Sequence, residues 1–171
     1  MALNIEEKDD LNYKVGNEVI YYQNSEFIVK DSDLIMEDTK QSIEKGLFGK
    51  KDYNADDIIG RYRGTLKKRL VYDEEVEKGL TQYGYAIGID EYFVLDCYHK
   101  SRSFECLLSY ANSPAGCINK HTKLRVDDNC AIFCAPKQEI ECPEVYLVCT
   151  KFIKSDDELL CLYGYEDCMQ R

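Results

Sequence analysis

Three short blocks of this chain carry residue types that could hold a ligand in place. In the first, Gly46-Leu47-Phe48 and the downstream Ile58-Ile59-Gly60-Arg61-Tyr62-Arg63-Gly64, glycines let backbone come close to a ligand with no side chain between. In the second, Tyr110-Ala111-Asn112-Ser113-Pro114, the amide of Asn112 can both donate and accept hydrogen bonds. The third, Asp157-Glu158-Leu159-Leu160-Cys161-Leu162-Tyr163-Gly164-Tyr165, ends on two tyrosines around a glycine. Aromatic faces attract cations, and 14 tyrosines with no tryptophan supply the material for such walls. A phenol titrates near pKa ~10 and is a poor base at neutral pH. Chemistry at such a site would therefore rest on positioning and alignment. Metal chemistry has no comparable support. None of the nine cysteines forms a Cys-x-x-Cys pair, and only His99 and His121 could join them. No metal site is expected, and the thiols are expected to be small buried hydrophobes on strands.

The elements that must position these blocks are mostly strands. Period-2 or continuous apolar runs predict them at Glu18–Tyr22, Glu26–Val29, Ile58–Tyr62, Tyr83–Ile89, Tyr92–Asp96, Lys123–Val126, Asn129–Cys134, Val145–Phe152 and Leu159–Leu162. Helical signals are fewer. Leu66 to Lys78 is rich in helix formers, with Gly79 as a C-terminal stop. Ser103 to Ala111 predicts a short helix capped by Ser103. There is no repeat and no Pro/Gly/Ser linker, so one β-rich domain is expected.

Composition narrows the function classes. The chain has 171 residues, 44% of them hydrophobic, enough for a sizeable core. No apolar run approaches the ~20 residues needed to span a bilayer, so no membrane association is expected. Met1 to Asp10 is acidic and lacks a signal-peptide pattern, which predicts an intracellular protein. A net charge of −10, from 32 acidic against 22 basic residues, argues against direct nucleic-acid binding and is compatible with a basic peptide partner.

The order and spacing of the three blocks resemble the SET-domain family, whose members transfer methyl groups from S-adenosylmethionine to protein lysines. The resemblance covers roughly residues 42 to 167, with Leu66–Thr81 unmatched. It implies a mainly β, β-rich α+β fold: small curved sheets, few short helices and a C-terminal pseudoknot, in which the last segment tucks under a loop. It divides the chain into an N-terminal extension, 1–30, and a SET-like domain, 31–171. That domain carries an inserted loop near 115–128 and no cysteine-rich zinc segment after it. The family's Gly-x-Gly turn corresponds to Glu44-Lys45-Gly46, followed by Leu47 and Phe48, with Glu44 in place of a glycine. The family's Arg-Phe-Ile-Asn-His-Ser segment corresponds to the block around Tyr110 and Asn112, with Ser113 in place of the histidine. These eight residues are the implied cofactor-binding set, and S-adenosylmethionine the implied cofactor. The closing Tyr-Gly implies Tyr163 as the catalytic tyrosine and Tyr165 as a wall of the lysine channel. A further channel tyrosine is implied at Tyr83 or Tyr85. Asn129-Cys130-Ala131-Ile132-Phe133 is similar to the segment where a side chain, Ile132 or Phe133, limits the number of methyl groups. The expected partner is a lysine-bearing protein or peptide, by analogy a histone tail, and the analogy favours the nucleus over the cytoplasm. The competing expectation is a diverged, inactive SET-like module that binds a protein partner.

Overall fold

A computed structural model describes residues 13–15, 18–135 and 144–162. Strand outweighs helix, 40% to 15%, and the strands form small separate sheets, so the chain is mainly β. The described residues fall into two compact units, each assembled from separate stretches. One takes 57 and below, 110–131 and 149–162; the other takes 58–109, 132–135 and 144–148. The units cut across the 31–171 span expected as one domain.

The first unit is built on a four-stranded antiparallel sheet. Its strands are β1 (Tyr13–Val15), β2 (Glu18–Gln23), β3 (Phe27–Asp31) and, past β4 (Leu34–Met36), β5 (Lys45–Gly49), in the order β1-β2-β3-β5. Asn24 turns the β2–β3 hairpin, its Oδ1 accepting the amides of Glu26 and Phe27 at 2.8 Å each. Phe27 and Val29 point inward and Ile28 and Lys30 are half-buried, the period-2 pattern of a strand with one covered face. The residue-30 boundary expected from sequence falls inside β3. β3 pairs with β5 along all five residues, so the described part of the expected extension belongs to the sheet that carries residues 46–48. β4 pairs with a later strand at Cys117–Asn119, within the expected 115–128 loop. Leu34, Cys117 and Leu160 pack together beneath Met36, Ile43 and Val126. Each large apolar side chain buried this way contributes about 1.5–3 kcal/mol.

The second unit contains β6 (Ile58–Arg61), β7 (Thr65–Lys68), β8 (Ala86–Gly88) and β9 (Phe93–Asp96), after which β10 denotes Cys117–Asn119. Residues 132–134 of β11 (Cys130–Cys134) and 145–148 of β12 (Val145–Cys149) complete the set, and the sheets are ordered β7-β9-β8 and β11-β12-β6. α1 (Arg69–Glu77) ends as the sequence predicts. Gly79, at φ +72°, donates to Val76 O and Leu80 donates to Glu75 O, the paired bonds that close a helix on a left-handed glycine. Its start differs from expectation, because Leu66–Lys68 belong to β7. The second helix also differs. α2 (Tyr98–Arg102) lies upstream of the expected Ser103–Ala111, and Ser103 is its C-terminal cap. Phe104, at φ 58°, stops the helix, and a 3-10 turn over Leu107–Tyr110 follows. Tyr83–Tyr85, expected as strand, is likewise a 3-10 turn.

Cys97, Cys106, Cys117, Cys130, Cys149 and Cys161 are buried thiols, as expected of small core residues, whereas Cys134 is disulfide-bonded. Among the described residues no His/Cys/Asp/Glu cluster is placed to hold a metal ion, and no helix is long and apolar enough to cross a membrane.

One glycine carries a sharp packing constraint. A Cβ on Gly64 would lie 2.5 Å from Asp96 O and 2.9 Å from Cys97 Sγ, and backbone cannot yield cheaply. Gly64→Ala is expected to lower unfolding free energy by about 1–3 kcal/mol, measured by urea denaturation. Unchanged stability would show that the close approach of these strands is not as described.

Candidate functional site

In the first unit residues 46–48 of the first block, the second block and residues 158–161 of the third meet at one carboxylate. β5 uses one edge to pair with β3. Its other edge takes up the third block: Leu159 N donates to Leu47 O at 2.8 Å, and Phe48 bridges Glu158. The same segment is held from two further sides. Leu160 bridges Asn112 in parallel, and Cys161 N donates to Asn112 O at 2.9 Å. Cys161 also bridges Cys130 in parallel, while the amides of Asn129 and Cys130 both donate to Leu160 O at 3.0 Å. Residues 158–161 thus run between the second block and the Asn129–Cys130 segment, bonded to both.

Side chains lock this crossing. Glu158 is 8% exposed and accepts from Ser32 Oγ at 2.7 Å, Asp33 N at 2.8 Å and, more weakly, Asn112 Nδ2 at 3.4 Å. Burial pushes the Glu158 carboxyl above its usual range; those three donors act against the shift without overcoming it. Asn129 clamps the main chain beside it, with Nδ2 donating to Glu158 O at 2.9 Å and Oδ1 accepting Leu160 N at 2.8 Å. Asn112 Nδ2 also donates to Lys45 O at 2.7 Å, tying the second block to the first.

This geometry changes the roles expected of the first block. Of Glu44-Lys45-Gly46, expected as a turn, Lys45 and Gly46 are strand residues of β5. A Cβ on Gly46 would lie 2.5 Å from Glu158 Oε2 and 3.2 Å from Ser32 Cα, so the glycine makes room for the carboxylate. Glu44 is exposed, and its carbonyl accepts from Ser32 N at 3.0 Å. Leu47 and Phe48 are fully buried core residues, with Lys30 Nζ 4.5 Å from the Phe48 ring centre. Tyr110 is buried, and half-buried Ser113 accepts the Ala115 amide at 3.3 Å. Tyr83 and Tyr85 belong to the second unit. Tyr83 is 62% exposed, edge-on to Tyr72 and 3.4 Å from Asp73; Tyr85 is edge-on to Tyr98. Tyr163 and Tyr165 lie outside the described residues.

For an S-adenosylmethionine-like ligand the fit is divided. The main chain of the first block is largely engaged, through Glu44 O, Lys45 O and Leu47 O. Asn112 fits better. Its amide N–H groups are consumed by Lys45 O and Glu158, which fixes the side chain and leaves Oδ1 with no partner among the described residues. An oriented amide oxygen is an acceptor for the ammonium of an amino-acid moiety. A cavity of about 410 Å³ in the same unit is lined by Asp33, Asn129, Glu158 and Phe152, a volume within the range of small-molecule sites.

Three participants escape sequence reasoning: Ser32, the buried Glu158 and the clamping Asn129. The available signal is the place of Glu158 at the end of the acidic run Asp156-Asp157-Glu158, directly before the apolar Leu159-Leu160-Cys161-Leu162. Tyr21, in β2, is a fourth. It donates to Asp31 at 2.6 Å, and that bond, with burial, holds its phenol up at about 12; the Lys45 ammonium lies 4.9 Å from its ring centre. No known family's sequence model matches the chain, and no curated protein matches it.

Proposed function

We propose that this chain is an S-adenosylmethionine-dependent protein-lysine N-methyltransferase with a SET-type fold. The observation that carries the proposal is the seating of residues 158–161 between Asn112 and Cys130 by two parallel bridges, against Phe48 on the other side. A late segment seated between two earlier ones is in keeping with the C-terminal pseudoknot that the three-block resemblance implies.

Within this proposal the cofactor, when bound, supplies an electrophilic methyl on a sulfonium. Asn112 Oδ1 receives the ammonium of its amino-acid moiety, and Glu158 and Lys45 O hold that amide in orientation. Tyr163, two residues beyond the bridged Cys161, orients the incoming neutral lysine amine; solvent takes its proton, since a phenol is a weak base at neutral pH. Tyr165 lines the lysine channel. The substrate is a lysine on a basic protein, with a histone tail the first to test, in keeping with the chain's charge of −10.

A second proposal has a specific observation behind it. Glu158 fills the space over Gly46, and Lys45 O is already bonded, as expected of a diverged module that binds a protein without cofactor. Calorimetry with S-adenosylhomocysteine separates the two: micromolar binding supports the enzyme, and no heat at millimolar ligand supports the module. With labelled S-adenosylmethionine and histone peptides or lysate, Tyr163→Phe is expected to remove most methyl transfer while leaving the melting temperature unchanged. Full activity in that variant would refute the role of Tyr163.

A further inference from the structure

The second unit holds a cleft that methyl transfer does not use. The chain as a whole carries 22 basic against 32 acidic residues. A cavity of about 560 Å³ in this unit reverses that balance among the described residues: Arg61, Arg63 and Lys100 line it, with Glu105 as the one carboxylate among them.

The strand chemistry explains the arrangement. Tyr62 is 4% exposed and its amide donates to Val145 O at 2.8 Å, which pins the chain between the two arginines. Arg61 and Arg63, one residue to either side, are both exposed and both border the cavity. The Arg63 amide donates to the buried Cys106 Sγ at 3.3 Å, and Gly64 is wedged against Asp96 and Cys97, so the floor is rigid.

The charges are unevenly neutralised. Lys100 pairs with Glu105 at 3.2 Å, and among the described residues Arg61 has only a loose pair with Glu144 at 4.0 Å. The Arg63 guanidinium has no carboxylate partner among the described residues. Two planar forks and an ammonium around one cavity suit a ligand with at least two negative charges and three or more oxygens. A monocarboxylate satisfies only one fork.

From this we infer that the cleft formed by Arg61, Arg63 and Lys100 is a binding site for a phosphoryl group. Free phosphate compounds and phosphorylated peptides share that chemistry. Titration of the full chain with inorganic pyrophosphate and with a phosphoserine peptide, at low salt and at 0.3 M salt, tests the site and tells the sources apart.

At least one probe is expected to bind, more weakly at high salt. The doubly substituted variant Arg61→Gln/Arg63→Gln is expected to lose affinity at least tenfold, with circular dichroism and melting temperature unchanged. Lys154→Gln, a cation of the first unit, is expected to leave affinity unchanged. Pyrophosphate binding equal to that of the peptide identifies a free phosphate compound; a peptide at least tenfold tighter identifies a phosphorylated chain. Absence of binding by both probes at millimolar concentration overturns the inference. So does an undiminished affinity in the double variant, or equal binding of the same peptide without its phosphate.

Discussion

Lys67→Met is expected to destabilise the second unit by about 3–5 kcal/mol, because it leaves a buried carboxylate without its cation. The side chain of Asp96 is 1% exposed. It accepts from Lys67 Nζ at 2.9 Å, Thr81 Oγ1 at 2.7 Å and the Tyr98 amide at 3.0 Å. Lys67 also reaches Glu75 on α1 at 2.6 Å, so one ammonium joins β7, β9 and the helix. Burial acts to raise the Asp96 carboxyl, but the Tyr98 amide, the Thr81 hydroxyl and Lys67 outweigh it and hold it below its usual range. For Lys67, burial acts downward, and Glu75 and Asp96 hold its ammonium above its usual value.

The sign of the pH dependence follows. A depressed carboxyl contributes stability above its unfolded pKa and loses it as the pH falls through the folded value. Lys67→Met should therefore be most harmful near neutrality and least harmful in acid, where Asp96 takes up a proton. Adding Asp96→Asn to Lys67→Met should recover part of the loss, since the unpaired charge is removed. Urea denaturation across pH checks both statements. A loss below ~1 kcal/mol for Lys67→Met, or no recovery in the double variant, would show that the ion pair is a solvated surface contact.

This cluster also shows why the sequence misleads at Leu66–Lys68. Leu-Lys-Lys-Arg-Leu is helix-forming by intrinsic preference, yet Leu66–Lys68 are strand, their partners being Leu95, Val94 and Phe93 of β9. Tertiary pairing overrides a weak local preference, and the carboxylate that rewards it lies 29 residues away. The β4–β10 pair is illegible for another reason: three residues a side are too few to show a period, so Cys117–Asn119 reads as loop. Conversely, Gly79 is legible because one left-handed residue closes α1 locally. The blocks themselves are legible as residue types, but their meeting point is not. Glu158 reads as a solvated charge beside an apolar strand, and its partners Ser32, Asp33 and Asn112 lie 126, 125 and 46 residues away.

Glu158 is therefore the most informative position in the first unit. Glu158→Ala should cost about 2–5 kcal/mol, as the Ser32 hydroxyl and the Asp33 amide lose their acceptor and Asn112 loses one of two. Glu158→Gln keeps an acceptor for the Asp33 amide, and the Ser32 hydroxyl can turn to accept from the new amide, so its loss should be smaller. The two also differ from the parent in pH dependence. Because burial raises the folded carboxyl above its unfolded value, the native state binds the extra proton, and stability falls as the pH rises through that interval. That slope should vanish in Glu158→Gln, which has no proton to release. Thermal melts from pH 4 to 8 make the comparison; an unchanged slope in Glu158→Gln would assign the dependence to another group. Cofactor affinity gives an independent reading. If Glu158 holds the Asn112 amide so that its Oδ1 faces the ligand, Glu158→Ala should weaken S-adenosylhomocysteine binding at least tenfold even at temperatures where the variant is fully folded. Folded protein with parental affinity would mean that Lys45 O alone orients Asn112, and that the carboxylate serves the crossing of strands and not the ligand.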